Sequence, residues 1–323
     1  MTKKKNEIKK INLNKEKNFI SAVVYTHNNE DDIKYFLNSI FNLLKEKFEH
    51  FEIICVDDKS TDNTCKVIRE VASNFEDTVV SIVTMSYYQG LEASMNAGID
   101  LAIGDFLLEF SMPIIDYDLK LIMDVYYKCL EGNDIVSARP EGKTRFTSKI
   151  FYTIFNRYSN VRNRVGTESF CIISRRAINR VVDINKTIPY RKVLYANCGL
   201  KYFVLDYSPL DNKKKKIDKK EHIIRKDMAM DSLVLFTDVA AKVAITMSIL
   251  MMIVLVGTIL YTVIIFFTSH PIAGWTTTML LLSFSMFVLF AILTIIIKYL
   301  DVIINLIFKD KNYLIESIDK ITR

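Results

Sequence analysis

The sequence predicts an α/β protein: an open, mostly parallel sheet with helices on both faces, followed by a C-terminal hairpin of two transmembrane helices. Two observations predict it. Short β-rich runs alternate with stretches of helical periodicity through the first part of the chain. Residues 243–297 then contain no Asp, Glu, Lys or Arg, although 25% of the 323 residues are charged and 50% are hydrophobic. The soluble and membrane populations are therefore separated along the chain.

Residues 1–18 are basic with no apolar run behind them, so they read as a solvated tail and not as a signal peptide. Phe19–Tyr25 is a first strand, and Thr26–Asn29 is the turn that follows. Ile33, Phe36, Leu37, Ile40, Leu43 and Leu44 recur at helical spacing. Phe51–Val56 is a continuously apolar second strand, as expected for a sheet covered on both faces. It runs into Asp57-Asp58, after which Ser60-Thr61-Asp62 supply capping residues for the next helix. Val79–Met85 is a third strand, Gly90–Ile103 a helix, and Asp105–Phe110 a fourth strand. In such sheets ligands sit beyond the carboxyl ends of the strands. Thr26, His27, Asn28, Asp57, Asp58 and the segment Ser111–Asp118 all follow strands, so they share one rim. Paired aspartates there suit nucleotide recognition, one accepting from a base or ribose donor while the other fixes the loop. Helix capping is the competing role for the same pair.

Five scattered cysteines without a C-x-x-C pair favour a reducing compartment, and the four histidines form no metal-ligand cluster. Val243–Phe267 is 25 residues without a charge, and as a helix it is roughly 37 Å long, enough to cross a bilayer core. Trp275–Ile297 is a second uncharged run of 23 residues. The connection between them contains Pro271 and Gly274 and is too short for anything but a hairpin. Lys213, Lys214, Lys215, Lys216, Lys219, Lys220, Arg225 and Lys226 precede the pair, and Lys298, Lys309 and Lys311 follow it. The positive-inside rule then puts the α/β domain and both termini in the cytosol, on a multi-pass protein of the cytoplasmic membrane. Residues 298–323 keep apolar residues at helical spacing between charges, which predicts an amphipathic interfacial helix. The expected segments are a tail over 1–18, the α/β domain over 19–212, a basic juxtamembrane stretch over 213–242, the hairpin over 243–297 and the interfacial helix over 298–323.

The stretches VVYTHNNEDDI, VDDKSTDNT and YYQGLEASMNAGIDLAIGD resemble the successive motifs of family 2 glycosyltransferases with the GT-A fold. FYTIFNRYSNVRNRVGTESFCIISRRAINRV, and HPIAGWTT between the two apolar runs, narrow the resemblance to polyisoprenyl-phosphate glycosyltransferases. The resemblance implies transfer of a sugar from a nucleotide-sugar to a polyprenyl phosphate of the undecaprenyl type, for cell-surface glycan assembly. It implies membrane lipids as surroundings and no nucleic-acid partner, while the hairpin itself, of a kind that often packs against copies of itself, leaves a homo-oligomer open. Asp58 matches the acid that reads the donor base, His27 stands where the family stacks a tyrosine, and Glu168 falls at the catalytic base, displaced by one position. Gly90, Glu92, Ala93, Gly98, Gly104 and Asp105 keep the framework of the third βα unit.

The family also uses a divalent metal, magnesium or manganese, held by a D-x-D five residues after the Gly-Asp pair. Here that window reads Ser111-Met112-Pro113, and neither Met nor Pro offers a side-chain oxygen to a hard cation. Asp116 and Asp118 are the nearest D-x-D, and a helix start is their alternative role. Without a metal, Lys143, Arg145, Arg162, Arg164, Arg175 and Arg191 are candidate clamps for the leaving diphosphate. Three readings stay open at the level of sequence: an active transferase with a shifted or metal-independent site, a catalytically silent relative that binds a lipid carrier or a partner transferase, and a membrane protein using the fold for something else.

Overall fold

A computed structural model describes residues 15–75, 78–142, 146–158, 166–184, 190–210, 237, scattered positions between 243 and 257, 274–308 and 313–321. Among these residues there are eight strands: β1 Ile20–Thr26, β2 Phe51–Asp57, β3 Val79–Met85, β4 Phe106–Phe110, β5 Ile135–Pro140, β6 Phe170–Ser174, β7 Tyr202–Tyr207 and β8 Ile315–Ile321. Among the described residues eight helices accompany them: α1 Glu30–Lys47, α2 Thr64–Ala72, α3 Leu91–Leu101, α4 Lys120–Leu130, α5 Phe146–Tyr158, α6 Arg175–Ile184, α7 Arg191–Asn197 and α8 Trp275–Phe308. The strands form one sheet in the order β7-β5-β6-β4-β1-β2-β3-β8. β1 to β4 are mutually parallel, while β6 and β8 run antiparallel to their neighbours.

Alternation along each central strand divides the core. Ala22, Val24, Ile53 and Cys55 pack with Ile33, Phe36, Leu37 and Ile40 of α1 and Ile68 of α2. Val23, Tyr25, Ile54 and Val56 face the other way, onto Met95 and Ala97 of α3 and Leu194 and Tyr195 of α7. Each strand thus buries both its faces, which is why the second strand reads as an unbroken apolar run. α3 crosses the sheet at close range, and Gly98 makes this possible: a Cβ there would lie 2.5 Å from Val23 Cγ1 and 2.7 Å from Val56 Cγ2.

Register sets the rim. Thr26 pairs with Asp57, Asp57 with Thr84, and Val24 with Phe110, so the carboxyl ends of β1 to β4 are level. Because β6 is antiparallel and pairs Phe170 with Phe110, its first residue lies at that same end. Glu168 and Ser169, immediately before β6, therefore belong to the rim.

Within the expected capping stretch 60–62, Asp62 Oδ1 accepts from Thr64 N, the first residue of α2, at 3.0 Å. Two expectations need correction. The N-terminal tail is shorter than 18 residues: Glu16 hydrogen-bonds the backbone of Lys47 and Glu49, and Asn18 donates to the Tyr126 hydroxyl at 2.7 Å. The interfacial helix expected over 298–323 is absent from its second half. α8 runs on through Lys298 and Asp301 to Phe308, and Ile315–Ile321 form β8 along the edge of β3. IESIDKI carries isoleucines at both ends with alternating half-buried and exposed positions, a two-residue period that suits a sheet edge.

The chain divides into two compact units, Met1–Tyr152 with Val161–Arg225 and Asp310–Arg323, and Thr153–Asn160 with Lys226–Lys309. In the second, α8 is a single helix of 34 residues. Most of the first apolar run, the connection between the two runs apart from Gly274, and the lysine-rich stretch lie outside the described residues. Over the described residues no helix counts as long and apolar enough to cross a membrane, so the hairpin remains an expectation.

Candidate functional site

Three loops meet at the rim, and one carboxylate joins them. Asp58 is fully buried. Its Oδ1 accepts from Gln89 N at 2.7 Å, and its Oδ2 accepts from Gly90 N at 2.7 Å and from the Tyr25 hydroxyl at 3.1 Å. Gly90 can offer its N–H from this position because it holds φ at 86°, a conformation that L side chains rarely adopt. Burial raises the Asp58 carboxyl above its ordinary value, and the two backbone donors pull it back. A carboxylate has about four lone-pair sites, so three protein donors leave little for a ligand. Asp58, expected to read a base, is in this structure the tie between the β1, β2 and β3 loops.

The other residues expected for nucleotide sit around that tie. His27 Nδ1 lies 2.7 Å from the Asp58 carbonyl oxygen, and its ring faces Tyr88 at 4.5 Å between centroids. Asn28, at φ 52°, accepts from Thr61 N at 2.8 Å through its side-chain oxygen and donates its own N–H to the Ser60 hydroxyl oxygen at 3.0 Å. Thr26 Oγ1 donates to the Val56 carbonyl at 3.2 Å, which closes the β1 end. Asp57 Oδ2 accepts from Ser60 N at 3.1 Å, and the buried carboxylate also meets the Cys65 thiol, so Asp57 is part of the loop structure.

Across the rim stands a second, more highly charged group that sequence reasoning did not assemble. Arg191, at the start of α7, donates from Nε to Glu92 Oε2 at 2.8 Å and from Nη1 to Glu109 Oε2 at 2.9 Å. Tyr195 donates to the other oxygen of Glu109 at 2.5 Å. Lys192 Nζ lies 3.8 Å from Glu168 Oε2, and the Tyr202 hydroxyl donates to Glu168 Oε1. The side chains of Arg191, Glu92, Glu109 and Glu168 are all about 95% buried. Burial lifts the Glu109 carboxyl against the pull of Arg191 and Tyr195. Burial alone would lower Arg191 and Lys192, but Glu92 and Glu109 hold the first, and Glu168 the second, above their ordinary values. Ser111, Glu168, Cys171, Arg191 and Lys192 border a cavity of about 10 Å³ beside this group, room for about one water.

Glu168 thus lies at the rim as expected, tied to Lys192 and Tyr202. Glu92 was read as framework and Arg191 as one of six cations, whereas Glu109, Lys192, Tyr195 and Tyr202 were missed. The usable signal was Glu109, a lone charge inside the apolar strand FLLEF, since a buried carboxylate requires a partner. Arg175 is at the opposite end of the sheet, donating to the carbonyls of Ala102 and Gly104. It is therefore no clamp. Lys143, Arg145, Arg162 and Arg164 lie outside the described residues.

The residues present do not fit the expected metal. Ser111-Met112-Pro113 occupy the end of β4. Asp116 Oδ1 accepts from the Tyr207 hydroxyl at 2.8 Å, whereas Asp118 Oδ1 accepts from Lys120 N at 2.9 Å and caps α4. The shifted pair is committed to two different tasks, and among the described residues no three His, Cys, Asp or Glu side chains gather as a metal-holding group.

Several known proteins are similar to the chain. Over 274 residues the chain is 26% identical to the uncharacterized glycosyltransferase YkcC of Bacillus subtilis, covering 80% of each. It is 29% identical over 193 residues to the uncharacterized glycosyltransferase sll0501 of Synechocystis, covering 58% of this chain and 60% of that protein. A prophage bactoprenol glucosyl transferase homolog of Escherichia coli is 25% identical over 194 residues, 58% of this chain and 62% of its own length. Against two of these three, then, the chain spans only about 60% of the relative. Among solved structures, glucosyl-3-phosphoglycerate synthase of Mycobacterium tuberculosis, in complex with uridine diphosphate, superposes with a TM-score of 0.50 at 14% identity. That match covers 67% of this chain and 79% of the other, a likeness of fold. The Glycosyl transferase family 2 model matches residues 21–111, the segment that builds β1 to β4 and the loops tied by Asp58, and this part of the chain is a family 2 glycosyltransferase domain.

Proposed function

We propose that the chain transfers a sugar from a nucleotide-sugar to a polyprenyl phosphate at the cytosolic face of the cytoplasmic membrane. The observation that carries the reading is the rim itself. The family 2 match covers the loops that Asp58 ties together, and these loops present a His27–Tyr88 aromatic step. An aromatic face suits a base. The names of the bactoprenol glucosyl transferase relatives support the lipid acceptor.

A phosphate monoester acceptor has its second pKa near about 6, so it reaches the site already ionised at neutral pH. It needs little help from a general base. In this reading Glu168 holds Lys192 beside the cavity at Ser111, and the lysine offsets the charge of the arriving phosphate. No step is assigned to a metal.

Composition supports the membrane half of the reading. Trp275–Ile297 is a run of 23 residues without a charge, which as a helix is roughly 35 Å long against a hydrocarbon core of about 30 Å, although no helix over the described residues counts as a span. Leu282, Phe287, Leu289, Phe290, Ile296 and Ile297 are exposed along it. Cysteine introduced at Ser269 should label from outside intact cells, and cysteine at Ser60 should not.

One specific observation favours a silent relative: the metal-holding acids are missing, and the nearby charges satisfy one another. Purified full-length protein incubated with several nucleotide-sugars and polyprenyl phosphate decides the matter. Glycolipid formed in EDTA supports the metal-free transferase. Formation only with manganese restores a metal role, and no glycolipid under any condition favours the silent reading.

A further inference from the structure

Gln89 is the point where the C-terminal strand reaches the loop tie. The β3–β8 ladder shifts register between Thr84 and Met85 and ends with Met85 opposite Ile315. Beyond that point Ser86 N still donates to Leu314 O at 3.1 Å, but the ladder gives the Leu314 N–H no backbone acceptor. Gln89 supplies one: its Oε1 accepts from Leu314 N at 2.8 Å, and its Nε2 donates to Leu314 O at 2.7 Å. The side-chain amide copies one rung of a ladder. The backbone N–H of the same residue donates to Asp58 Oδ1 at 2.7 Å. One residue therefore bonds β8 through its side chain and the buried carboxylate through its main chain.

Other contacts fix the same segment on either side. Tyr313 donates to Asp100 Oδ2 of α3 at 2.5 Å, Ser86 N donates to Leu314 O at 3.1 Å, and Glu316 pairs with Lys59, the residue after Asp58. The Lys59–Glu316 pair is half-exposed and contributes little. The Gln89 amide has no such substitute, because the exchange needs a donor and an acceptor on one planar group. Glutamate lacks the donor and methionine lacks both.

We propose that Gln89 is a positioning residue for the donor-nucleotide site, through which β8 fixes the carboxylate of Asp58. The proposal rests on the reading of the Asp58 rim as a nucleotide site. It makes the last strand of the chain, which follows the apolar helix α8, part of the donor site without touching the donor.

The test uses full-length protein with Gln89→Met, Gln89→Glu and removal of residues 313–323, alone and with Gln89→Met. Hydrogen exchange should speed up about tenfold at the amides of Gln89 and Gly90 in Gln89→Met, as expected for losing two hydrogen bonds. UDP and GDP are the binding probes, and whichever binds the unmutated chain should bind Gln89→Met about five- to tenfold more weakly. The truncation should cause the same loss, with no further loss in the combined variant. Unchanged exchange at Gln89 and Gly90, unchanged nucleotide affinity, or additive losses would each overturn the proposal. If neither nucleotide binds the unmutated chain, the donor-site reading falls and takes the binding role of Gln89 with it. The exchange result then still shows whether β8 orders the loop.

Discussion

Two buried acidic centres lie on one rim, and they are built in opposite ways. Asp58 is held by neutral donors, two backbone N–H groups from the loop after β3 and the phenol of Tyr25 near the end of β1. Glu92 and Glu109 are held chiefly by one guanidinium, brought from residue 191 by α7. The first arrangement stabilises a carboxylate with dipoles already fixed by the fold. The second balances full charges against one another, three carboxylates including Glu168 facing the two cations Arg191 and Lys192. Fixed dipoles lose one hydrogen bond when a partner goes, whereas a buried ion pair leaves a bare charge behind.

The largest expected effect follows directly. Arg191→Met should cost about 3–5 kcal/mol in chemical unfolding, because Glu92 and Glu109 would both be left without their cation. Asp58→Asn keeps the shape but turns an amide N–H toward backbone donors, and should cost about 1–3 kcal/mol. If the two losses were equal, or Asp58→Asn the greater, the contrast between the two centres would be wrong.

The same contrast explains what the sequence disclosed. β1 to β4 and their helices were legible because each strand is an apolar run of five to seven residues bounded by turn residues. The Asp58 loops were legible because their residues are close together in the chain. Glu92 and Arg191 are 99 positions apart, and no local pattern joins them. β6 hides for a related reason: FCIIS is as apolar as a helix segment, and only antiparallel pairing with β4 settles it. β8 was misread because IESIDKI fits a helical face almost as well as an alternating edge. The edge of β3, which decides between them, is more than 200 residues earlier. The shifted D-x-D was visible as a pair, but the partners that separate it, Tyr207 for Asp116 and Lys120 N for Asp118, were not.

A smaller effect separates the centres by pH. Burial holds the Glu109 and Asp58 carboxyls above their ordinary values, so the folded protein binds protons more tightly than the unfolded chain at both. Each contributes stability that is fully present below the unfolded value of about 4 and is lost as pH rises through the raised folded value. Glu109→Gln removes this dependence at one centre while leaving Arg191 with Glu92. Its unfolding free energy should therefore fall less than that of the unmutated protein as pH rises from about 4 to 7. A steeper fall in the variant would mean that Glu109 is stabilised as an anion after all.

The smallest expected effect concerns what holds β8. Arg69 pairs with Asp319 at 2.7 Å, and the two side chains are 51% and 44% exposed. An exposed pair of this kind contributes about 0.2–1 kcal/mol, and screening at high salt removes most of it. The strand has other attachments: the antiparallel ladder from Val80–Ile321 to Met85–Ile315, the Gln89 amide at Leu314, and the half-buried Ile321 packed against the core. Asp319→Ala should therefore leave β8 in place, with a loss below about 1 kcal/mol at low salt and little at 1 M. Hydrogen exchange across residues 315–321 should stay slow in the variant. If Asp319→Ala released the strand, or its cost persisted at high salt, β8 would depend on charge as the Arg191 centre does. The division between a rim tied by dipoles and a rim tied by ion pairs would then run through the sheet edge as well.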